Sequence, residues 1–305
     1  MIPEQLREKR LVLFGAGRVA RLMFARFPEL NVVAFADNDP LKEGTFVGRV
    51  PVVLPSTLHS LEYDLVVIST GWWESISAQL GELGVPAEKV VLPPKSMLAV
   101  NNGAKPFSHD FTKALAVDAI QRVGDFAEMF NIPILMDFGT LLGATRDGDL
   151  IPWDDDVDFS INDDEFPLLL DHLSDLKSLL PHRAGVCIEI IILKSGDRVT
   201  GVSVTFENTL DCDVIVPFEL GFMRRIFEDG KSVTKSSGPE FIAPEVHFRS
   251  ADTINFLGRQ FFTPYDVPGY LTYVYGNWQA PKQDVTLADY PMQESDYQET
   301  SRSVF

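Results

Sequence analysis

Cysteine is scarce: only Cys187 and Cys212 occur in 305 residues. Both sit in apolar, strand-like runs, which reads as buried thiols in a reducing cytosol and argues against a disulfide framework. No apolar run approaches the length that spans a bilayer, so stable membrane insertion is not expected. The opening MIPEQLREKR is polar and lacks the apolar core of a signal peptide, and the expected location is the cytoplasm. The five histidines are scattered without zinc-ligand spacing. Positive charge is also short: 26 Lys and Arg face 44 Asp and Glu, for a formal charge of −18. That field opposes bulk attraction to nucleic acid or anionic membrane. An anionic nucleotide would need local basic residues or a divalent metal.

What is present is a soluble globular composition, 45% hydrophobic and 23% charged, long enough for two domains. Leu11 to Phe14 is a short apolar run that meets Gly15-Ala16-Gly17-Arg18-Val19-Ala20, after which helical spacing begins. Strand, glycine turn and helix are the setting of a dinucleotide fingerprint, here with Ala20 at the third glycine. A second run, Val32 to Ala36, ends at Asp37, where a carboxylate can accept hydrogen bonds from ribose hydroxyls. Further runs at Leu65 to Ile68 and Val90 to Leu92 alternate with helical spacing and predict a parallel α/β sheet. Asp37-Asn38-Asp39-Pro40 and Gly48-Arg49-Val50-Pro51-Val52 resemble the compact Rossmann-like modules appended to bacterial sugar-modifying enzymes. Such a module binds a nucleotide or nucleotide-sugar through Gly15, Gly17 and Asp37, or it only packs. Nothing nearby suits hydride transfer, so a dehydrogenase is not expected.

Pro93-Pro94 and Asn101-Asn102-Gly103 break the pattern. The expected division is a Rossmann-like domain over 1–97, a linker over 98–110 and a second domain over 111–305. Leu115, Ala119, Val123, Phe126 and Phe130 keep the spacing of one buried helix face across 111–130. Ile134 to Phe138 then reads as a buried strand that delivers Gly139-Thr140 to a helix N-terminus. Unpaired amides and the helix dipole favour anions there. The Thr140 hydroxyl and the Arg146 guanidinium would add donors for phosphate.

Four acids follow in five positions: Asp154, Asp155, Asp156 and Asp158. Strand alternation puts Asp156 and Asp158 on one face with Val157 and Phe159 behind. Carboxylates crowded in an apolar segment are costly unless compensated, and hard oxygen ligands suit Mg2+ or Mn2+. A ligand or supporting role stays open for Asp154 and Asp155.

The stretch FGTLLGATRDGDLIPWDDDVDF closely resembles the signature of the LicD/fukutin-related family, and the likeness extends from Phe111 to Pro281. The resemblance implies an α+β nucleotidyltransferase-like fold behind the α/β Rossmann-like domain. It also implies phosphotransferase chemistry, in which a phospho-alcohol such as phosphocholine or ribitol phosphate moves from a CDP-linked donor to a glycan hydroxyl. Asp156 and Asp158 would hold the metal, while Gly139, Thr140, Arg146, Trp153 and Asp155 would contact substrate. The family's third carboxylate, an aspartate before apolar residues and proline, selects Asp213 as ligand or base, with Asp211 the same-face alternative. Asp147-Gly148-Asp149 departs from relatives that carry a basic residue or histidine and two glycines, which bears on donor or acceptor preference. The closing motif, Phe261 to Pro264 and Tyr270 to Trp278, is read as core. Arg224 and Arg225 fall on a hairpin expected to be solvated. Two other functions stay open: a nucleotidyltransferase activating a phospho-alcohol or sugar phosphate with CTP, and a noncatalytic nucleotide-binding scaffold. Self-association into a homo-oligomer is also left open.

Overall fold

A computed structural model describes residues 2–98, 105–210, 212–234, 240–283, 285–293 and 300–305. The chain divides into two compact units. One joins Met1–Gly103 to Lys282–Tyr290, and the other joins Ala104–Pro281 to Pro291–Phe305.

In the first unit the apolar runs become β1 (Leu11–Phe14), β2 (Val32–Ala36), β3 (Phe46–Val47), β4 (Val50–Val53), β5 (Leu65–Ile68) and β6 (Val90–Val91). They alternate with α1 (Arg18–Arg26), α2 (Trp73–Glu82) and α3 (Lys95–Leu98). The sheet runs β3-β4-β2-β1-β5-β6 and is parallel except where β3 meets β4. All four residues of β1 are buried because both faces are covered. Leu11 and Leu13 share a cluster with Ala20 and Met23 of α1, whereas Val12 and Phe14 join Ile76 and Leu80 of α2. A parallel strand buried on both sides reads as a continuous apolar run, which is why LVLF does not alternate. This is an α/β, Rossmann-like sheet.

The expected division put everything after residue 111 in one domain, but Lys282–Tyr290 belongs to the first unit. The Lys95 amide donates to the Val285 carbonyl, and Asp289 closes a capping box with Thr286 while pairing with Lys282. These ties are polar, so hydrophobic periodicity carries no trace of them.

The second unit is α+β. It contains α4 (Asp110–Phe130), β7 (Leu135–Met136), α5 (Phe138–Arg146), β8 (Asp156–Asn162), α6 (Phe166–Asp171) and α7 (Leu173–Leu179). Then follow β9 (Val186–Ser195), β10 (Arg198–Asn208), β11 (Phe218–Glu228), β12 (Lys231–Thr234), β13 (Glu240–Pro244) and α8 (Val246–Arg249). The last elements are β14 (Ala251–Phe256), β15 (Arg259–Pro264), α9 (Val267–Tyr275), β16 (Met292–Gln293) and β17 (Thr300–Val304). The main sheet path is β14-β15-β7-β8-β11-β10-β9-β17, with β12, β13 and β16 branching from β11. Asn131 ends α4 in the left-handed conformation at φ 53°, a helix stop that asparagine tolerates.

Strand β8 lies parallel to β11, with Asp156 opposite Glu219 and Asp158 opposite Gly221. Behind that face Phe159 stacks on Phe222 at 5.4 Å, and Phe206 stacks on Phe218 at 4.5 Å. Such pairs contribute about 0.5–1.5 kcal/mol each beyond area burial. Tyr270, Leu271 and Val274 of α9 are buried, but Phe262 and Tyr273 are exposed, so the closing motif is core only in part. Both cysteines are exposed rather than buried. Along β9 the alternation turns Cys187 and Glu189 outward and Ile188 and Ile190 inward, and Cys212 lies in the loop ahead of β11.

Candidate active site

The acidic stretch ends in a tight cluster at the start of β8. Ligand oxygens of Asp154, Asp155 and Asp156 all lie within 4.8 Å of one another. Asp158 is on the same strand face as Asp156, one pleat further on, and its backbone is fixed from two sides. Its N–H donates to Thr140 Oγ1 at 2.8 Å, and its carbonyl accepts from the Asp137 N–H at 3.1 Å. Among the described residues the three-carboxylate group is therefore 154–155–156, not the expected Asp156, Asp158 and Asp213. Asp213 is exposed on the loop before β11, where the Asn208 side chain holds the neighbouring amides of Val214 and Ile215. Asp211 lies outside the described residues.

The carboxylate that strand register sets beside Asp156 is Glu219, exposed near the start of β11. It was legible in principle, since Phe218, Leu220 and Phe222 alternate inward and leave Glu219 and Gly221 on the other face. The acid–apolar–proline pattern at Asp213 was the more conspicuous signal.

Helix α5 begins at Phe138, not at Gly139-Thr140, because Asp137 caps it by accepting the Phe138 N–H at 2.7 Å. Gly139 has a different use from the expected phosphate approach. A Cβ there would lie 2.0 Å from Asp154 Oδ2, so any other residue would displace that carboxylate from its present place. Thr140 is buried, and its hydroxyl oxygen accepts the Asp158 amide. The Arg146 guanidinium grips Asp147 through Nε at 3.0 Å and Nη2 at 2.7 Å, and lies 6.0 Å from the Trp153 ring centroid. Lys113 pairs with Asp149 at 2.5 Å. Both acids of the Asp147-Gly148-Asp149 departure thus hold basic groups.

Beneath the cluster is a buried polar network. Asp137 Oδ1 accepts from the Phe138 N–H and from the Tyr270 hydroxyl at 2.5 Å. Its Oδ2 accepts from Arg225 Nη2 at 2.6 Å and from the Ser160 hydroxyl. Arg225 also donates through Nε to Ser160 and through Nη2 to Tyr270 Oη. Its guanidinium stands 4.0 Å from the Phe248 ring centroid, and Nη1 is buried with no hydrogen-bond partner. Burial opposes the Arg225 charge, but Asp137 and Tyr270 outweigh it and raise the pKa. Burial, then the Asp137 charge, lifts the Tyr270 phenol well above its ordinary range, so the hydroxyl stays a donor. Arg225 is therefore not on a solvated hairpin. Arg224 is not either: its Nε pairs with Asp163 at 2.5 Å and its Nη1 donates to the Val199 carbonyl.

In the first unit, Gly15 turns at φ +104° and Gly17 precedes α1. Asp37 is engaged by the turn itself. It accepts the Ala16 N–H at 2.7 Å and the Asp39 N–H at 2.9 Å, and Lys42 reaches both oxygens. Burial raises its pKa, but the two amides and Lys42 more than offset this, leaving it below the ordinary range. The carboxylate expected at a ribose thus holds the glycine turn in place.

The family described as LicD/FKTN/FKRP, nucleotidyltransferase domain, matches residues 131–266, which include α5, β8 and β11. The second unit carries a LicD-family domain. A LicD domain points to a phosphotransferase-type transferase. Residues 7–91 match a second family, described as C2185-like, N-terminal. No curated protein matches the chain in sequence.

Among solved structures, UDP-D-quinovosamine 4-dehydrogenase from Vibrio fischeri is 21% identical over 28% of this chain and 78% of its own, with a TM-score of 0.23. UDP-N-acetylglucosamine 3-dehydrogenase GnnA from Acidithiobacillus ferrooxidans is 13% identical over 85% of this chain and 84% of its own, with a TM-score of 0.25. An oxidoreductase from Thermotoga maritima is 13% identical over 93% and 92%, with a TM-score of 0.27. Scores this low establish no shared overall fold, and the Rossmann-like character of the first unit rests on its own strand order. Among the described residues, no helix is long and apolar enough to cross a membrane.

The residues around the LicD cluster fit a hard divalent cation. The donor set is all oxygen, as Mg2+ and Mn2+ prefer. One oxygen of Asp156, Oδ1, is also buried with no hydrogen-bond partner, a cost that a cation would offset.

Proposed function

We propose that the LicD-family domain transfers a phospho-alcohol from a CDP-linked donor to a hydroxyl of a glycan or its precursor, with Mg2+ or Mn2+, in the cytoplasm. The observation that carries this reading is the Asp154–Asp155–Asp156 cluster, with its buried, unpartnered Asp156 oxygen at the mouth of β8. Asp156 would be the principal ligand, with Asp154, Asp155 and Asp158 within the same neighbourhood. A divalent ion held there supplies charge neutralisation to the donor diphosphate and the departing phosphate.

The chain's own groups then have distinct tasks. Gly139 leaves room for Asp154, and Thr140 fixes the Asp158 backbone, so both carboxylates are held before substrate arrives. Arg146, released from Asp147, would take a donor phosphate oxygen through its planar fork. Trp153 beside it would cover the donor. Glu219, rather than Asp213, is the candidate to accept the proton of the acceptor hydroxyl. The acceptor oxygen attacks phosphorus in line, the P–O bond to CMP breaks, and CMP leaves.

The test is product analysis after incubation with Mn2+ and CDP-choline, CDP-ribitol, CDP-glycerol or CTP, each with a glycan acceptor. CMP from a CDP-alcohol is the expected product. Pyrophosphate from CTP would instead support nucleotidyl transfer at the same site. Full turnover by Asp156→Asn in metal-replete buffer would reject the site assignment.

A further inference from the structure

A buried ion pair is weak evidence for stability in itself, because desolvating both partners offsets much of their attraction. The Arg225–Asp137 pair therefore calls for another reason, and its position supplies one. Asp137 has all four acceptor directions filled, by Phe138 N–H, Tyr270, Arg225 and Ser160. Two of these partners are far away in sequence, on β11 and α9, and one is on β8. The next residue, Phe138, sits at φ +41°, a left-handed conformation that an aromatic side chain avoids. Strain of this kind persists only where the surroundings over-determine it, and it gathers at functional sites. Here the surroundings are specific. The Phe138 N–H is held by Asp137, and its ring packs 5.2 Å from Phe241 and 5.2 Å from the Arg225 guanidinium.

The strained turn leads directly into Gly139 and Thr140. Gly139 lies against Asp154, and Thr140 accepts the Asp158 amide. Asp137 reaches Asp158 from the other side, its N–H donating to the Asp158 carbonyl. The acidic face is thus referenced to one buried carboxylate by two backbone routes.

We propose that Asp137, clamped by Arg225 and Tyr270, is a positioning residue that locks the turn at Phe138 and so fixes Gly139 and Thr140 against Asp154 and Asp158. It touches neither substrate nor metal; it acts through the turn. The proposal rests on reading the Asp154–Asp156 cluster as the metal centre for its functional meaning, but not for its structural test.

Tyr270→Phe removes one hydroxyl and keeps the ring against Phe248. Ser160→Ala removes a second donor to Asp137 from a different strand, and serves if the first variant fails to fold. Two readouts separate positioning from general stability. The first is native-state hydrogen exchange of the Asp158 amide. It should speed up about ten-fold more than the Val204 amide of β10, the size of effect expected for one buried hydrogen bond. The second is Mn2+ affinity by electron paramagnetic resonance, which should weaken about ten-fold in the same variants. Equal acceleration at Asp158 and Val204 would overturn the proposal and leave a purely structural network. Unchanged Mn2+ affinity alongside selective Asp158 acceleration would uphold the lock on the turn but overturn its reach to the acidic cluster. A wild-type protein that binds no Mn2+ would overturn the metal reading, and Asp158 exchange would still decide whether Asp137 positions the turn.

Discussion

Gly139→Ala tests whether Asp154 must keep its place in the acidic cluster. The new Cβ would lie 2.0 Å from Asp154 Oδ2, where ordinary contact begins at 3.4 Å. Either Asp154 or the α5 turn must move by more than an ångström. The turn is poorly able to yield, because Asp137 fixes it from below and Thr140 ties it to Asp158. The carboxylate is the mobile partner and would leave the cluster. Misplacement of about 1 Å at a reacting centre costs on the order of 100-fold in rate. Stability should change little: alanine gains about 1 kcal/mol over glycine in a helix, and relieving the overlap costs about 1–3 kcal/mol. The assay pairs Mn2+-dependent CMP release with thermal unfolding of the same preparation. The expected result is about a hundred-fold loss of kcat with Tm shifted by only a few degrees. Turnover within a few-fold of wild type would refute the claim that Asp154 needs its place beside Gly139. Outright unfolding would show instead that the contact belongs to the fold.

Other outcomes follow from the ion pairs. Arg225→Met leaves Asp137 buried without its cation and should lower stability by about 3–5 kcal/mol in denaturant titration; a loss below about 1 kcal/mol would mean the charge is relieved elsewhere. Asp37→Asn should destabilise by about 1–2 kcal/mol at neutral pH through lost charged hydrogen bonds to Ala16, Asp39 and Lys42. Because the folded pKa of Asp37 is depressed, its stabilisation is full above the unfolded pKa and fades as pH falls through the folded one. Wild type and variant should therefore converge in acid, and a constant gap across pH would refute the electrostatic account. Asp147→Asn weakens the hold on Arg146 and should lower the donor KM several-fold with kcat little changed; an unchanged KM would mean that Arg146 does not reach the donor.

What the sequence made legible was local. Helix α4 follows from one stripe of Leu115, Ala119, Val123 and Phe126, all buried as their spacing requires. The alternation of Asp156, Val157, Asp158 and Phe159 named both faces of β8. The continuous run of β1 announced a strand covered on both sides. What stayed hidden depends on pairings across long separations: Arg225 meets Asp137 across 88 positions, and Tyr270 meets it across 133. Each left a sign, an acid in an apolar run, a cation in a strand and a phenol on a buried helix face, but no local rule says which of them meet. Glu219 escaped notice for a related reason. A motif places Asp213 by its neighbours in sequence, whereas the neighbour of Asp156 is set by strand register, whose first pair is Glu219 with Asp156.

The distribution of positive charge gives the departure at Asp147-Gly148-Asp149 a physical meaning. In a chain with net charge −18, basic groups near the α5 turn are the scarce component. Arg146 is committed to Asp147, Lys113 to Asp149 and Arg225 to Asp137. The last pair is buried and fully hydrogen-bonded on the acid side, so it is structural; the first is a contact between neighbours at the end of α5. Arg146 is thus a cation that can exchange one acid for another without unmaking the buried network. On the proposed reading, a donor phosphate would compete with Asp147 for it. On that reading Asp147 and Asp149, by holding Arg146 and Lys113, would tune how strongly the site holds an anionic donor.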